Sequence, residues 1–235
     1  MIDPALLSLI AASLAFVGTH FALSHPLRAP LVARIGEKGF LPLYSLVAFA
    51  TLGWMVLAFR AAPAVDLPGS GEAGWIVATI LTLPALLLFV GSLRGNPAFP
   101  NPAAPKPVER DPTGVFAVTR HPMMWGFALW ALSHIILWWS WRTVIIGATI
   151  LCLALVGAHL QDRKKAALLG ESWMGWAKET SYWPRWSKIF RAGLLLWVVT
   201  IILWHGVTWA HIELAQVSAG PWTIYTSHGA RLPFP

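Results

Sequence analysis

Residues 118–134 read Val118-Thr-Arg-His-Pro-Met-Met-Trp-Gly-Phe-Ala-Leu-Trp-Ala-Leu-Ser-His134. The stretch opens on a charged, turn-forming segment, Thr119-Arg120-His121-Pro122. Proline suits the first turn of a helix, where its missing N–H would have had no partner. An uncharged run of tryptophans, methionines and small residues follows and carries a second histidine, His134. Thirteen residues at about 1.5 Å each set His134 roughly 20 Å along the helix from His121. Two titratable groups therefore frame an apolar helix, one at its mouth and one deep within. That pattern describes a site if the helix lies in a membrane.

The rest of the chain has a membrane protein's composition. Of 235 residues, 57% are hydrophobic and only 11% are charged, and mean hydropathy is +0.62. A water-soluble domain carries about 25% charged residues to cover its surface. The charges are also clustered. Between them lie six uncharged runs: Ala5–Leu23, Phe40–Phe59, Gly74–Leu93, Pro122–Ser140, Thr143–Leu160 and Ala192–Ala210. About 20 apolar residues cross the hydrocarbon core. The expected fold is an all-α polytopic bundle of about six spans, forming a single domain over residues 1–235. The first run has only Asp3 before it, no basic residue, and so is not a cleavable signal peptide. Cys152 is the lone cysteine, which rules out an intramolecular disulfide.

Basic residues orient the bundle. With both termini outside, the first, third and fifth loops are cytoplasmic and hold 14 of the 17 Lys and Arg; only Arg60, Arg142 and Arg231 fall outside. That asymmetry is a strong positive-inside signal for both termini outside. The net charge of +7 then implies contact with anionic lipid heads rather than nucleic acid. Tryptophans fit the same frame, with Trp75, Trp138, Trp139, Trp141 and Trp209 at outer ends and Trp183 and Trp186 at an inner one.

In chain order, the first span ends in Gly18-Thr-His-Phe-Ala-Leu-Ser-His-Pro26, with His20 about a turn inside the cytoplasmic end and His25 in the headgroup zone. The second and third spans carry no ionisable residue and read as walls, the third bent at Pro84. Residues 94–119 form a proline-rich cytoplasmic loop, an extended tether that serves as a lid or as a spacer. The fourth and fifth spans make a hairpin through Trp139-Ser-Trp-Arg142, and the fifth returns His159 to the cytoplasmic side. His20, His121 and His159 share one layer. His134 lies deeper, level with His205, fourteen residues into the last span. His211 and His228 read as outer-interface or tail residues. Residues 161–190 alternate basic side chains with Leu, Met and Trp, as an interfacial amphipathic helix does, anchoring to lipid or covering a site.

Imidazole is the commonest protein ligand for metals and a frequent haem ligand. Histidines within apolar spans therefore point to haem before zinc. Hard cations want carboxylates, and no Asp or Glu lies within a span. No Cys-x-x-Cys-His is present for covalent haem attachment.

Several pieces of this chain are familiar. Ala117-Val-Thr-Arg-His-Pro-Met-Met-Trp-Gly126, Ala131-Leu-Ser-His134, Thr19-His20, Gly157-Ala-His159 and Asp162-Arg163 resemble the NnrU family of bacterial membrane proteins, associated with nitrite and nitric oxide reduction in denitrification. The same domain is similar to 15-cis-zeta-carotene isomerase. That resemblance implies haem b, with His134 as one iron ligand and His20 as its redox-dependent partner; His121 and His159 complete the cofactor-binding set. By depth His205 is level with His134 and His20 is not, so either helix tilt closes that gap or His205 is the alternative second ligand, with His20 ranked first on the resemblance. Arg120-His-Pro-x-x-x-Gly126 also looks like isoprenylcysteine and phospholipid methyltransferases, in which this histidine and a downstream glutamate pair hold S-adenosylmethionine. Asp162-Arg163 stands in the pair's place here and withdraws the negative charge that a sulfonium would want.

Three functions follow from these resemblances. The first is a haem-dependent sensor or assembly factor for nitrogen-oxide respiration, able to bind nitric oxide. The second is a haem-dependent cis–trans isomerase of a lipophilic polyene, and the third a methyltransferase acting on a membrane-embedded substrate.

Overall fold

The computed structural model describes residues 3–64, 67–96, 111–215 and 217–222. Most of the proline-rich tether (97–110) lies outside the described residues, as do His228 and Arg231. Among the described residues there are helices and 3-10 turns and no strand.

Among the described residues, five helices are long and apolar enough to cross a membrane: α1 (Pro4–Ser24), α2 (Arg28–Ala61), α3 (Gly71–Ser92), α5 (Trp141–Leu169) and α7 (Leu194–Ala215). The sixth expected span is the shorter α4 (Pro122–Leu137). Its 16 residues cover about 24 Å. Large apolar side chains stand bare on the outer faces, Phe49 at 72% and Leu195 at 78% exposure among them. In water such surfaces would drive aggregation, whereas lipid tails solvate them. The protein is an all-α polytopic membrane protein.

The chain divides into two compact units. The first comprises Met1–Pro68 with Trp139–Leu153. Asp3 caps α1 by accepting the Ala5 N–H at 2.7 Å, with Pro4 in the first turn. The segment holding Arg28 and Arg34, read as loop, is helical and belongs to α2. Gly36 breaks that helix at φ 70°, ψ 167°, a conformation essentially reserved for glycine. The Arg28 guanidinium closes over the break onto Glu37. Leu9, Ala12, Phe16, Met55, Ala58 and Ala62 form the core of this unit, and Ile145, Ile146 and Ile150 of α5 pack against it. Ser140 starts α5 by accepting the Thr143 N–H.

The second unit comprises Gly69–Trp138 with Ala154–Pro235. Its helix α3 runs on through Pro84 without interruption. Gly126 of α4 meets α3 so closely that a Cβ there would stand 2.9 Å from the Ala85 carbonyl oxygen. The glycine is what lets the two backbones approach. Residues 161–190 are not one amphipathic helix. They comprise the end of α5, a break at Gly170 (φ 52°), the short helix α6 (Glu171–Glu179), an extended piece and the start of the 3-10 turn Trp186–Ala192. On α6, Trp173 and Trp176 are buried against Val115, Phe116, Val118 and Leu129.

Candidate functional site

Thr119-Arg120-His121-Pro122 lies inside the second unit rather than at an open mouth. Residues 115–119 are buried, and His121 is 2% exposed. Burying this polar run requires partners for it, and they come from far along the chain. Thr119 Oγ1 donates to the carbonyls of Ser181 (3.1 Å) and Tyr182 (2.8 Å). The Arg120 N–H donates to the Ser181 carbonyl, and the Arg185 N–H to the Val118 carbonyl. Trp125 Nε1 donates to the Tyr182 carbonyl at 2.8 Å. The segment 181–185 is thus stitched along the entry to α4.

The charged side chains converge on Asp162 of α5. Arg120 Nε lies 3.0 and 2.9 Å from its two oxygens, and Nη2 also donates to Oδ2. His121 Nε2 stands 2.8 Å from Oδ1; a carboxylate only accepts, so this nitrogen carries the proton. His121 Nδ1 is buried and has no partner. Tyr182 lies edge-on to the His121 ring with centroids 5.6 Å apart, and its hydroxyl donates to the Leu155 carbonyl at 2.8 Å. Burial, and after it the Asp162 charge, push the Tyr182 phenol above its usual pKa, with Arg120 opposing. Beside this knot an open cavity of about 700 Å³ is lined by Arg120, Leu155, Val156, His159, Asp162, Tyr182 and Trp183. His121 and His159 therefore belong to one end of the unit, His121 sealed inside and His159 facing the cavity.

His134 is on α4, in the same unit. Its Nδ1 stands 2.8 Å from the Trp130 carbonyl oxygen, four residues back. A carbonyl only accepts, so Nδ1 carries the proton and Nε2 presents a lone pair. The Trp130 ring packs on the imidazole with centroids 4.2 Å apart. The neighbouring imidazole is His211, with centroids 6.4 Å apart. His205, expected level with His134, instead packs between Trp204 and Trp222. His20 belongs to the first unit. Its Nδ1 meets the Phe16 carbonyl at 2.7 Å, and its ring packs on Phe16 and Tyr44. His20, His134, His205 and His211 all tie Nδ1 to the carbonyl four residues back. This is the outer-shell bond that fixes a histidine ligand's tautomer and leaves Nε2 for a metal.

Among the described residues no three His, Cys, Asp or Glu side chains cluster as a metal-ion site. Haem iron needs only one or two protein ligands because the macrocycle supplies the rest. An imidazole with its tautomer fixed, in an apolar helix and against an aromatic face, suits that donor set.

The model of the NnrU protein family matches residues 8–219. The chain belongs to the NnrU family. That match takes in most of both units and His20, Arg120, His121, His134, His159, Asp162, Tyr182, His205 and His211. This NnrU-family chain is also 38% identical over 74 residues to the 15-cis-zeta-carotene isomerase, chloroplastic, of Arabidopsis thaliana. It is 34% identical over 74 residues to the protein of the same name in Zea mays. Each match covers 31% of this chain and 20% of the relative, so the chain spans about a fifth of the curated proteins it matches. No solved structure matches it.

Two features were missed in the sequence reading. His211 was set aside because a histidine near a span's end is usually interfacial. Tyr182 was not singled out at all, although Tyr182-Trp-Pro184 after a short helix is the one aromatic cluster that could have flagged the segment docking on Thr119.

Proposed function

We propose that this NnrU-family protein is a haem b protein of the bacterial cytoplasmic membrane, with both termini outside, that isomerises a cis double bond of a lipophilic polyene. The observation that carries the proposal is the state of His134. Its Nδ1–H is held by the Trp130 carbonyl, and its Nε2 lone pair is free within an apolar helix. The relatives' name supports isomerisation over the sensor reading. The skew of basic residues supports the orientation.

Bound haem would supply an iron centre able to act as a Lewis acid toward a polyene double bond. The chain's own contribution is positional. Trp130 holds the His134 ring from both its carbonyl and its indole face. Substrate and product are isomers, so no atom or electron is gained or lost overall. Both oxygens of Asp162 are bonded to Arg120 and His121, which leaves no free acid at this site to meet a sulfonium cofactor.

The test is purification in mild detergent from haem-replete cells. Oxidised and reduced spectra with a pyridine haemochrome assay follow, then chromatography of a di-cis polyene incubated with reduced protein. Near-stoichiometric b haem with conversion of the polyene is the expected result. A colourless protein would overturn the cofactor assignment. Haem without conversion, together with nitric oxide binding, would replace the isomerase with a sensor.

A further inference from the structure

We infer that the cavity beside the Asp162 cluster binds the phosphate head of an anionic phospholipid; this stands apart from the haem reading above. Polarity along the α5 wall runs in one direction. Leu155 and Val156 line the cavity near the middle of α5, with His159 a turn further on and Asp162 towards the helix end. Arg163 is exposed and follows His159 by four residues, which sets the two on one helix face. Over about 10 Å of helix the wall thus passes from aliphatic to cationic. An amphiphile matches that gradient.

The polar groups of the cavity are mainly donors. Arg120 spends Nε and one Nη2 proton on Asp162, which leaves its Nη1 for a ligand. Among the described residues the exposed His159 ring has no hydrogen-bond partner, and an imidazole donates from at least one nitrogen in either tautomer. Asp162 already accepts from Arg120 and His121, and Tyr182 gives its proton to the Leu155 carbonyl. Arg120 and the run Arg163-Lys164-Lys165 set four cations against that carboxylate, so the acceptor that fits is an anion. The guanidinium fork suits phosphate oxygens, and basic pockets at a membrane surface hold anionic lipid heads. The cavity's volume of about 700 Å³ falls in the ligand-pocket range of about 300–1,000 Å³. Its open side lets the acyl chains leave over Val156 and Trp183, which are 41% and 66% exposed.

The experiment is native mass spectrometry of the full chain in detergent, titrated with phosphatidylglycerol, phosphatidylcholine or inorganic phosphate. Wild type is compared with His159→Ala, His159→Gln, Val156→Trp and Arg34→Gln. Val156→Trp fills the cavity without changing charge, and Arg34→Gln removes an exposed cation from the first unit. Wild type should hold one phosphatidylglycerol and bind phosphatidylcholine far more weakly. His159→Ala should weaken phosphatidylglycerol about tenfold, as loss of one hydrogen bond to a charged group does. His159→Gln, which keeps an N–H donor, should restore most of that loss. Val156→Trp should bind no lipid tightly, and Arg34→Gln should bind as wild type does. Equal affinity for the two lipids, or undiminished binding by Val156→Trp, would overturn the site. An equal loss in Arg34→Gln would reduce it to general surface attraction. Displacement of the lipid by inorganic phosphate would replace the phospholipid with a free anion.

Discussion

Asp162 accepts hydrogen bonds from His121 and Arg120 together, and through them the second half of α5 is tied to the entry of α4. Asp162→Asn would leave the largely buried Arg120 without its counter-charge. Removing one partner of a buried pair costs about 3–5 kcal/mol; the residual exposure of both side chains (15% and 18%) brings the expectation down to about 2 kcal/mol. Thermal unfolding in detergent would read it as a lowered midpoint, and an unchanged midpoint would show that the cluster bears no part of the fold's stability.

His121 and His134 should separate by phenotype. His121→Ala removes a buried ring and its bond to Asp162, at a cost of about 2–3 kcal/mol, yet the haem bound per folded molecule should stay at the wild-type level. His134→Ala should fold and lose the haem. Haemochrome assays on monodisperse fractions of both variants check this, and equal haem loss in the two would erase the distinction.

Gly126 and Gly175 make a matched pair. A Cβ at Gly126 meets the Ala85 carbonyl at 2.9 Å, whereas one at Gly175 meets nothing within 4 Å. Gly126→Ala should destabilise by about 1–3 kcal/mol because backbone must move. Gly175→Ala should stabilise α6 by up to about 1 kcal/mol. Melting temperatures shifting the same way in both variants would contradict this packing.

Trp173 and Trp183 differ by burial, at 1% and 66% exposure. Trp173→Ala should cost about 3–5 kcal/mol, enough to abolish accumulation of a marginally stable protein. Trp183→Ala should leave the melting temperature nearly unchanged and affect only what the cavity takes up. Yields and melting curves of the two variants measured side by side would decide it.

The helical, membrane-spanning character could be read from charge spacing alone, because a hydrocarbon solvent forbids charges over about 20 residues. The partnering of the histidines could not. Depth counted from Pro122 assumed that α4 begins at the membrane surface. Residues 115–119 and His121 are already buried, so α4 starts inside the unit rather than at an open surface. Within the unit His211 lies beside His134, while His205 packs on Trp222. The break at Gly36 is another such case: Arg28, Arg34 and Lys38 looked like loop because their charge outweighed their helical setting. Asp162 was noticed only as half of a motif, since no local pattern announces a partner 41 residues away.

The stitching of residues 118–125 to 181–185 also has a timetable. Thr119 enters the nascent chain 62 residues before Ser181, whose carbonyl it needs, and Arg120 enters 42 residues before Asp162. At about 5–20 residues per second, Arg120 waits roughly 2–8 s for its carboxylate and Thr119 roughly 3–12 s for its acceptors. Throughout that interval the entry to α4 carries an uncompensated cation and unpaired backbone groups, which favours holding it in the aqueous or headgroup layer. Its burial then becomes a late event of biogenesis, available only once the ribosome has delivered Arg185.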